Sequence, residues 1–226
     1  MLNTVVAMTL SEIADVLETA ENKTCAAQKL IKELITEHQR VIFNGDNYTE
    51  AWVEEAARRG LPNISNTVLA IKELLADKNK EVLQKMKVLT EKEIESRYKI
   101  LLENYIKTIN IEALTFIDMT KRQLLPAALK YALIAAEAAE KTGSKAAKKS
   151  CAKIVELADA MEEKLSKLEE AVSGCVHDDA FETALYYRNT VVAAIEELRS
   201  AVDATEQVVP ADYWPVPVYA DLLFKV

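Results

Sequence analysis

The strongest constraint on the fold lies between Thr90 and Gly143. No glycine interrupts this stretch before Gly143, and Pro126 is its only proline. It opens with Thr90-Glu91-Lys92-Glu93, a capping box in which hydroxyl and carboxylate satisfy the free amides of a helix start. Apolar residues then recur at three- and four-residue steps, as Ile94, Tyr98, Leu101 and Tyr105 and as Leu102, Ile106, Ile109, Ala113 and Ile117, the period of one helical face. Glu93 to Arg97, Glu95 to Lys99 and Glu103 to Lys107 stand in the favourable i,i+4 order. At about 1.5 Å per residue the helix would be roughly 80 Å long. A rod of that length can only be a support against which other helices pack. Pro126 removes the hydrogen bond to the Arg122 carbonyl and is expected to bend it.

Composition agrees with an all-α fold. Four glycines and five prolines are spread over 226 residues, half of them hydrophobic, which favours helix over sheet. The net charge of −8 supplies no cationic field for phosphate backbones, so nucleic acid is not expected as a partner. No apolar run reaches the ~18 residues of a membrane span, and Met1 to Leu10 lacks the basic start of a signal peptide. Cys25, Cys151 and Cys175 cannot all pair within one chain, so a reduced, cytoplasmic setting with buried thiols is the simpler reading.

Before the long helix the pattern is of short helices with frequent stops. The first is expected to run to about Ala20, with Val6, Leu10, Ile13, Ala14 and Leu17 buried. The second runs from Asn22–Thr24 to about Val41, with Leu30, Ile31, Leu34, Ile35 and Val41 buried. Phe43-Asn44-Gly45-Asp46-Asn47 reads as a turn. Thr49 caps a helix over Glu50 to Arg59, which Gly60 and Pro62 end. Further short helices are expected over Thr67 to Ala76 and Lys80 to Met86.

After the break at Thr142-Gly143-Ser144, Cys151, Ile154, Ala158, Met161, Leu165, Leu168 and Val172 alternate in steps of three and four, the seam of a coiled coil or long bundle helix. Ser173-Gly174 ends it. Asp178 or Asp179 caps a third long helix to about Gln207, with Ala184, Val191, Ile195, Leu198 and Val202 inward. Short connections between long helices imply antiparallel neighbours. The expected architecture is a long antiparallel three-helix bundle or coiled coil over residues 90–226, with shorter N-terminal helices of residues 1–89 packed on it. At the end, Pro210, Pro215 and Pro217 exclude a long helix. Trp214 to Pro217 should be extended and Ala220 to Phe224 should form a short helical turn. Tyr213, Trp214, Tyr219 and Phe224 are the packing or interaction candidates, since so much aromatic surface requires cover.

A search for catalytic chemistry excludes more than it finds. A di-iron carboxylate bundle needs Glu-x-x-His on facing helices, yet Ile35 and Gly174 precede His38 and His177 by three. The cysteines are far apart, and Gly45, Gly60, Gly143 and Gly174 each stand alone, so there is no phosphate-cradling loop. Arg58-Arg59 could clamp an anion but is more simply a pair of cations at a helix C-terminus. Glu162-Glu163 and Glu169-Glu170 read as a wet helix face. Glu37 and His38 are adjacent, so on a helix they point apart. No catalytic, cofactor-binding or metal-ligating residue is expected.

Four stretches, in order and at matching spacing, resemble the C-terminal region of type III glutamine synthetases. They are Leu2 to Ala7; Glu37 to Tyr48, continuing through Trp52-Val53 to Arg59-Gly60-Leu61-Pro62-Asn63; Ser96-Arg97-Tyr98 with Glu103-Asn104-Tyr105, Ile111-Glu112-Ala113 and Pro126-Ala127; and Trp214 to Phe224. The second and fourth are specific, whereas the long helices from about Ala146 to Arg199 are generic. The resemblance implies a piece of an ATP-dependent glutamate–ammonia ligase of glutamine biosynthesis, a dodecamer of two stacked rings using ATP and magnesium or manganese. Its metal carboxylates and substrate arginines would precede Met1, which suggests an excised domain or gene fragment. The expected role is structural, in assembly or regulation, with the catalytic domain and neighbouring subunits as partners. The alternative is an independent helical interaction module.

Overall fold

The structure, a computed structural model, describes residues 1–175 and 178–224, the side chains of Tyr219, Ala220 and Phe224 excepted. It is all-α, with no strand among the described residues. The chain divides into two compact units, Met1–Leu101 and Leu102–Val226.

The first unit holds α1 (Leu2–Glu18), α2 (Lys23–Glu37), α3 (Glu50–Arg58), α4 (Thr67–Lys72), α5 (Asp77–Lys85) and the start of α6 (Glu91–Met119). The Asn22 side chain accepts from the Cys25 amide and starts α2, and Asn66 does the same for α4 through Leu69. α1 packs on α2 and α5, and Lys85 reaches Glu12 at 3.1 Å. The expected capping box is present: the Glu93 carboxylate accepts from the Thr90 amide at 2.7 Å and from its hydroxyl at 2.8 Å, and the Glu93 amide donates back to Thr90 Oγ1 at 3.4 Å. Thr49 does not cap α3 with its side chain, because its hydroxyl donates to the Asp46 carbonyl instead. Val68, Leu83 and Ile94 are the best-buried side chains of this unit.

The expected burial of α1 and α2 does not hold. Neither helix has a buried residue. Val6 and Leu10 are 50% and 59% exposed, and Ile31 and Ile35 are 56% and 52% exposed. Leu101, a member of the first apolar series on α6, is also exposed. Periodicity reports that a face is apolar, not that this chain covers it. Cys25 is exposed rather than buried, and Cys151 and Cys175 are half-buried.

In the second unit α6 continues into a π-helical turn, Thr120–Leu124, and then α7 (Leu125–Thr142). Pro126 falls in the first turn of α7, where its missing amide follows directly on the wider turn rather than breaking a regular helix. Gly143 closes α7 at φ +65°, a left-handed conformation that glycine adopts without strain. Ser144 then caps α8 (Lys145–Ser173) through the Ala147 amide, so α8 runs back along α7. The expected third long helix is present as one continuous run, α9 (Ala180–Tyr186), a second π turn at Tyr187–Val191 and α10 (Val192–Glu206). Asp179 caps α9 by accepting from the amides of Phe181 and Glu182.

α8 packs against both α7 and α10. Its Ile154, Ala158, Met161, Leu165 and Leu168 are at most 1% exposed, which makes the three-four seam the centre of the core. Facing residues include Leu124 near the first π turn, Tyr187 and Val191 in the second, and Leu198 and Val202 on α10. Tyr105, Ile106, Ile109, Ala113, Phe116 and Ile117 complete it from α6. Burying each large apolar side chain contributes about 1.5–3 kcal/mol, more than any exposed ion pair here.

Candidate functional site

No group of three or more His, Cys, Asp or Glu side chains is placed to hold a metal ion among the described residues. His38 is the exposed residue closing α2, and His177 lies outside the described residues. Burial pushes the Cys175 thiol up from its ordinary pKa. Three features of packing and exposed surface stand out.

The first is the C-terminal strap. A 3-10 turn at Ala211–Tyr213 follows Pro210, and Trp214 is then extended at φ −87° and ψ 125°. Trp214 is 5% exposed and joins the core with Val209, while Val216 and Val218 pack alongside. Its Nε1–H is buried with no hydrogen-bond partner among the described residues. Tyr213 is 38% exposed and stacks at 5.3 Å on Tyr131 of α7. Thus Tyr213 and Trp214 face different surroundings although they are neighbours. The backbone at Tyr219–Phe224 is helical, one residue longer than expected. The side chains of Tyr219 and Phe224 lie outside the described residues.

The second is a clasp around the turn before α3. Trp52, Glu55 and Arg59 are three and four residues apart and therefore share one face of that helix. The Arg59 guanidinium lies 5.9 Å from the Phe43 ring centroid and 5.8 Å from that of Trp52, and the two rings are 4.6 Å apart. Its Nη1 donates to the Ile42 carbonyl at 2.6 Å, and its Nε to Glu55 at 2.5 Å. Arg58 also donates twice to Glu55, at 2.7 Å each. Hydrogen bonds from Arg58 and then Arg59 lower the Glu55 pKa to about 2. Both guanidiniums are engaged with Glu55, which disfavours an anion clamp. A Cβ on Gly45 would stand 2.6 Å from the edge of the Phe43 ring, so only glycine lets the ring fold back over the turn. Sequence reading found this turn but not the clasp, since no local rule pairs Phe43 with an arginine sixteen residues later.

The third is the bare apolar surface of α1 and α2. Leu2, Val5, Val6, Leu10 and Val16 on α1, and Ile31 and Ile35 on α2, are all between 46% and 77% exposed. Val41 and Ile42 continue it at 55% and 47%, and Tyr48 beside the turn is fully exposed. In the same unit, a groove of about 790 Å³ is lined by apolar side chains including Leu74, Leu83, Leu89 and Ile94. Soluble monomers rarely leave apolar surface of this extent uncovered.

Comparison with known proteins matches the sequence to a family. A family model described as the glutamine synthetase C-terminal domain matches residues 26–143, just over half of the chain. The chain is 33% identical over 207 residues to a glutamine synthetase of Butyrivibrio fibrisolvens, covering 88% of this chain and 30% of that protein. It is 30% identical over 240 residues to the type-3 glutamine synthetase of Dictyostelium discoideum, covering 99% and 32%. A glutamine synthetase of Bacteroides fragilis is 28% identical over 226 residues, with 95% and 31% covered. The chain therefore spans about a third of the length of these relatives. The matched region takes in most of α2, the Phe43 clasp and the whole of α6 and α7. No helix among the described residues is long and apolar enough to cross a membrane. By its sequence and its helical fold, this chain belongs to the glutamine synthetase C-terminal domain family.

Proposed function

We propose that this chain is the helical C-terminal domain of a type III glutamine synthetase and acts as a scaffold for a catalytic region outside it. The observation that carries this reading is the bare apolar surface of α1 and α2, two helices without a single buried residue. Their stripes include Leu10, Ile31 and Ile35, each about half exposed or more. Surface of that kind requires a partner. In a chain matching only 30–32% of its relatives' length, the remainder of the same enzyme is the natural cover. Trp214 and the strap brace the bundle, and Tyr213 and the helical end beyond it contribute to contacts with neighbouring subunits. Glutamate, ammonia, ATP and magnesium or manganese would be handled by the catalytic region, and this chain adds no reacting group.

The test uses this chain and the remainder of such an enzyme supplied in trans. The chain alone forms no glutamine from glutamate, ammonia, ATP and magnesium. It binds an apolar dye strongly, and the added catalytic region suppresses that binding. Turnover by the chain alone overturns the scaffold reading. Dye binding unchanged by the catalytic region overturns the assignment of its partner.

A further inference from the structure

The outer face of α6 and α7 is built to meet itself. Within the second unit, exposed positions step along this face as Glu103, Lys107, Ile111, Leu114, Asp118, Arg122, Pro126, Leu129, Leu133, Glu137 and Lys141. The steps are threes and fours, and the π turn adds one residue to the helical count. At about 3.6 residues per turn these positions stay on one side of the rod, opposite Ala113, Ala128, Ala132 and Ala139, which are buried. The four aliphatic members are far from covered: Ile111 is 64% exposed, Leu114 49%, Leu129 51% and Leu133 60%.

Their order is the informative feature. Asp118 with Arg122 at 2.7 Å separates the two apolar patches, and Glu103 with Lys107 at 3.7 Å and Glu137 with Lys141 at 3.2 Å flank them. The outer part of the pattern is symmetric about Arg122. Glu103 and Lys141 lie nineteen residues either side of it, Lys107 and Glu137 fifteen, and Ile111 and Leu133 eleven. In the outer pairs the charges at mirrored positions are opposite.

We infer that this face pairs antiparallel with the same face of a second copy, on a two-fold axis passing near Arg122. An isologous contact places residue i against residue j and j against i. Here that sets Glu103 against the second copy's Lys141, Lys107 against its Glu137, and Ile111 and Leu114 against its Leu133 and Leu129. At the axis each Arg122 lies one turn from the other copy's Asp118. The paired length is on the order of 55 Å at 1.5 Å per residue. Charge complementarity fixes register and direction, because a parallel arrangement or a shift of one turn opposes like charges. The apolar patches supply the burial and the ion pairs the selectivity. The inference stands on this helix face alone and does not depend on the catalytic region proposed above.

The experiment is sedimentation velocity of the whole chain over a concentration series, with circular dichroism to verify folding. Wild type is expected to form a dimer in the micromolar range. Glu103→Lys with Lys107→Glu keeps an opposite-charge pair within the helix but sets like charges across the axis, and should weaken the dimer at least tenfold. Adding Glu137→Lys with Lys141→Glu restores complementarity and should recover it, which a merely structural role would not produce. Leu133→Glu should abolish it. A wild-type chain that stays monomeric up to millimolar concentration overturns the inference. So does self-association that the first charge reversal leaves unchanged, or that the second fails to rescue. In any of these cases the face serves another occupant, and the scaffold reading is unaffected.

Discussion

Replacing Trp214 tests whether the strap is part of the core. The side chain is 5% exposed and joins the cluster that contains Leu124, Val202 and Val209. Truncating a buried aromatic to alanine costs about 3–5 kcal/mol, from lost burial and the cavity left behind. One effect opposes this. The Nε1–H is buried without a partner among the described residues, and an unsatisfied buried donor costs about 1–3 kcal/mol, which disappears with the indole. The expected net loss for Trp214→Ala is therefore centred on about 2 kcal/mol and at most about 4 kcal/mol. Trp214→Phe keeps a ring in the same place and also removes the donor, so its loss should stay under about 1.5 kcal/mol, as for volume-conserving core changes. Urea titration followed by circular dichroism measures both, provided the slope with denaturant is unchanged. A midpoint for Trp214→Ala equal to wild type would mean that the strap is not core. Both variants remove the indole N–H, so their difference reads ring burial alone, and equal losses would mean that burial of the ring contributes nothing.

Three further outcomes follow from the same geometry. The Glu55 carboxyl titrates at about 2 instead of 4.5, held down by hydrogen bonds from Arg58 and Arg59. A depressed carboxyl stabilises the fold above its unfolded pKa, and that contribution is lost as pH falls through the folded one. The clasp should therefore hold above pH 4.5 and loosen between there and about 2, read by the carboxyl carbon resonance of Glu55 and the fluorescence of Trp52. Titration at the ordinary value would refute it. Leu165→Ala, at a seam position 1% exposed, should cost about 2–5 kcal/mol, measured by denaturant midpoint, and a cost below 1 kcal/mol would place the seam outside the core. Gly143→Ala has open space around its Cβ but a φ of +65°. Its cost should be about 1 kcal/mol from the left-handed backbone alone, and a shift in the opposite direction would show that the turn is not held in this conformation.

The legible parts of this chain were those with a local physical cause. The capping box at Thr90, the glycine ending at Gly143, the Asp179 cap and the seam from Ile154 to Leu168 all depend on residues within a few positions of each other. The stretches Glu37 to Asn63 and Trp214 to Phe224 were readable in another way, through their resemblance to a known family rather than through a local physical rule. Whether Tyr213 and Trp214 behaved alike was not readable. Alternation gives no rule in an irregular strap, and one of them is buried while the other stacks on Tyr131.

Sequence alone determined that the chain is helical, where its principal helices start and stop, and which faces are apolar, because capping and periodicity act within one or two turns. Tertiary structure decided what covers those faces. It buried the stripe of α8 between α7 and α10, left those of α1, α2 and the outer side of α6 and α7 exposed, and set the π turns at Thr120 and Tyr187. It also drew Arg59 onto Phe43, a partner distant in the chain. The reason is that an apolar stripe records a need for burial, and only the three-dimensional arrangement says whether the same chain or another one meets it.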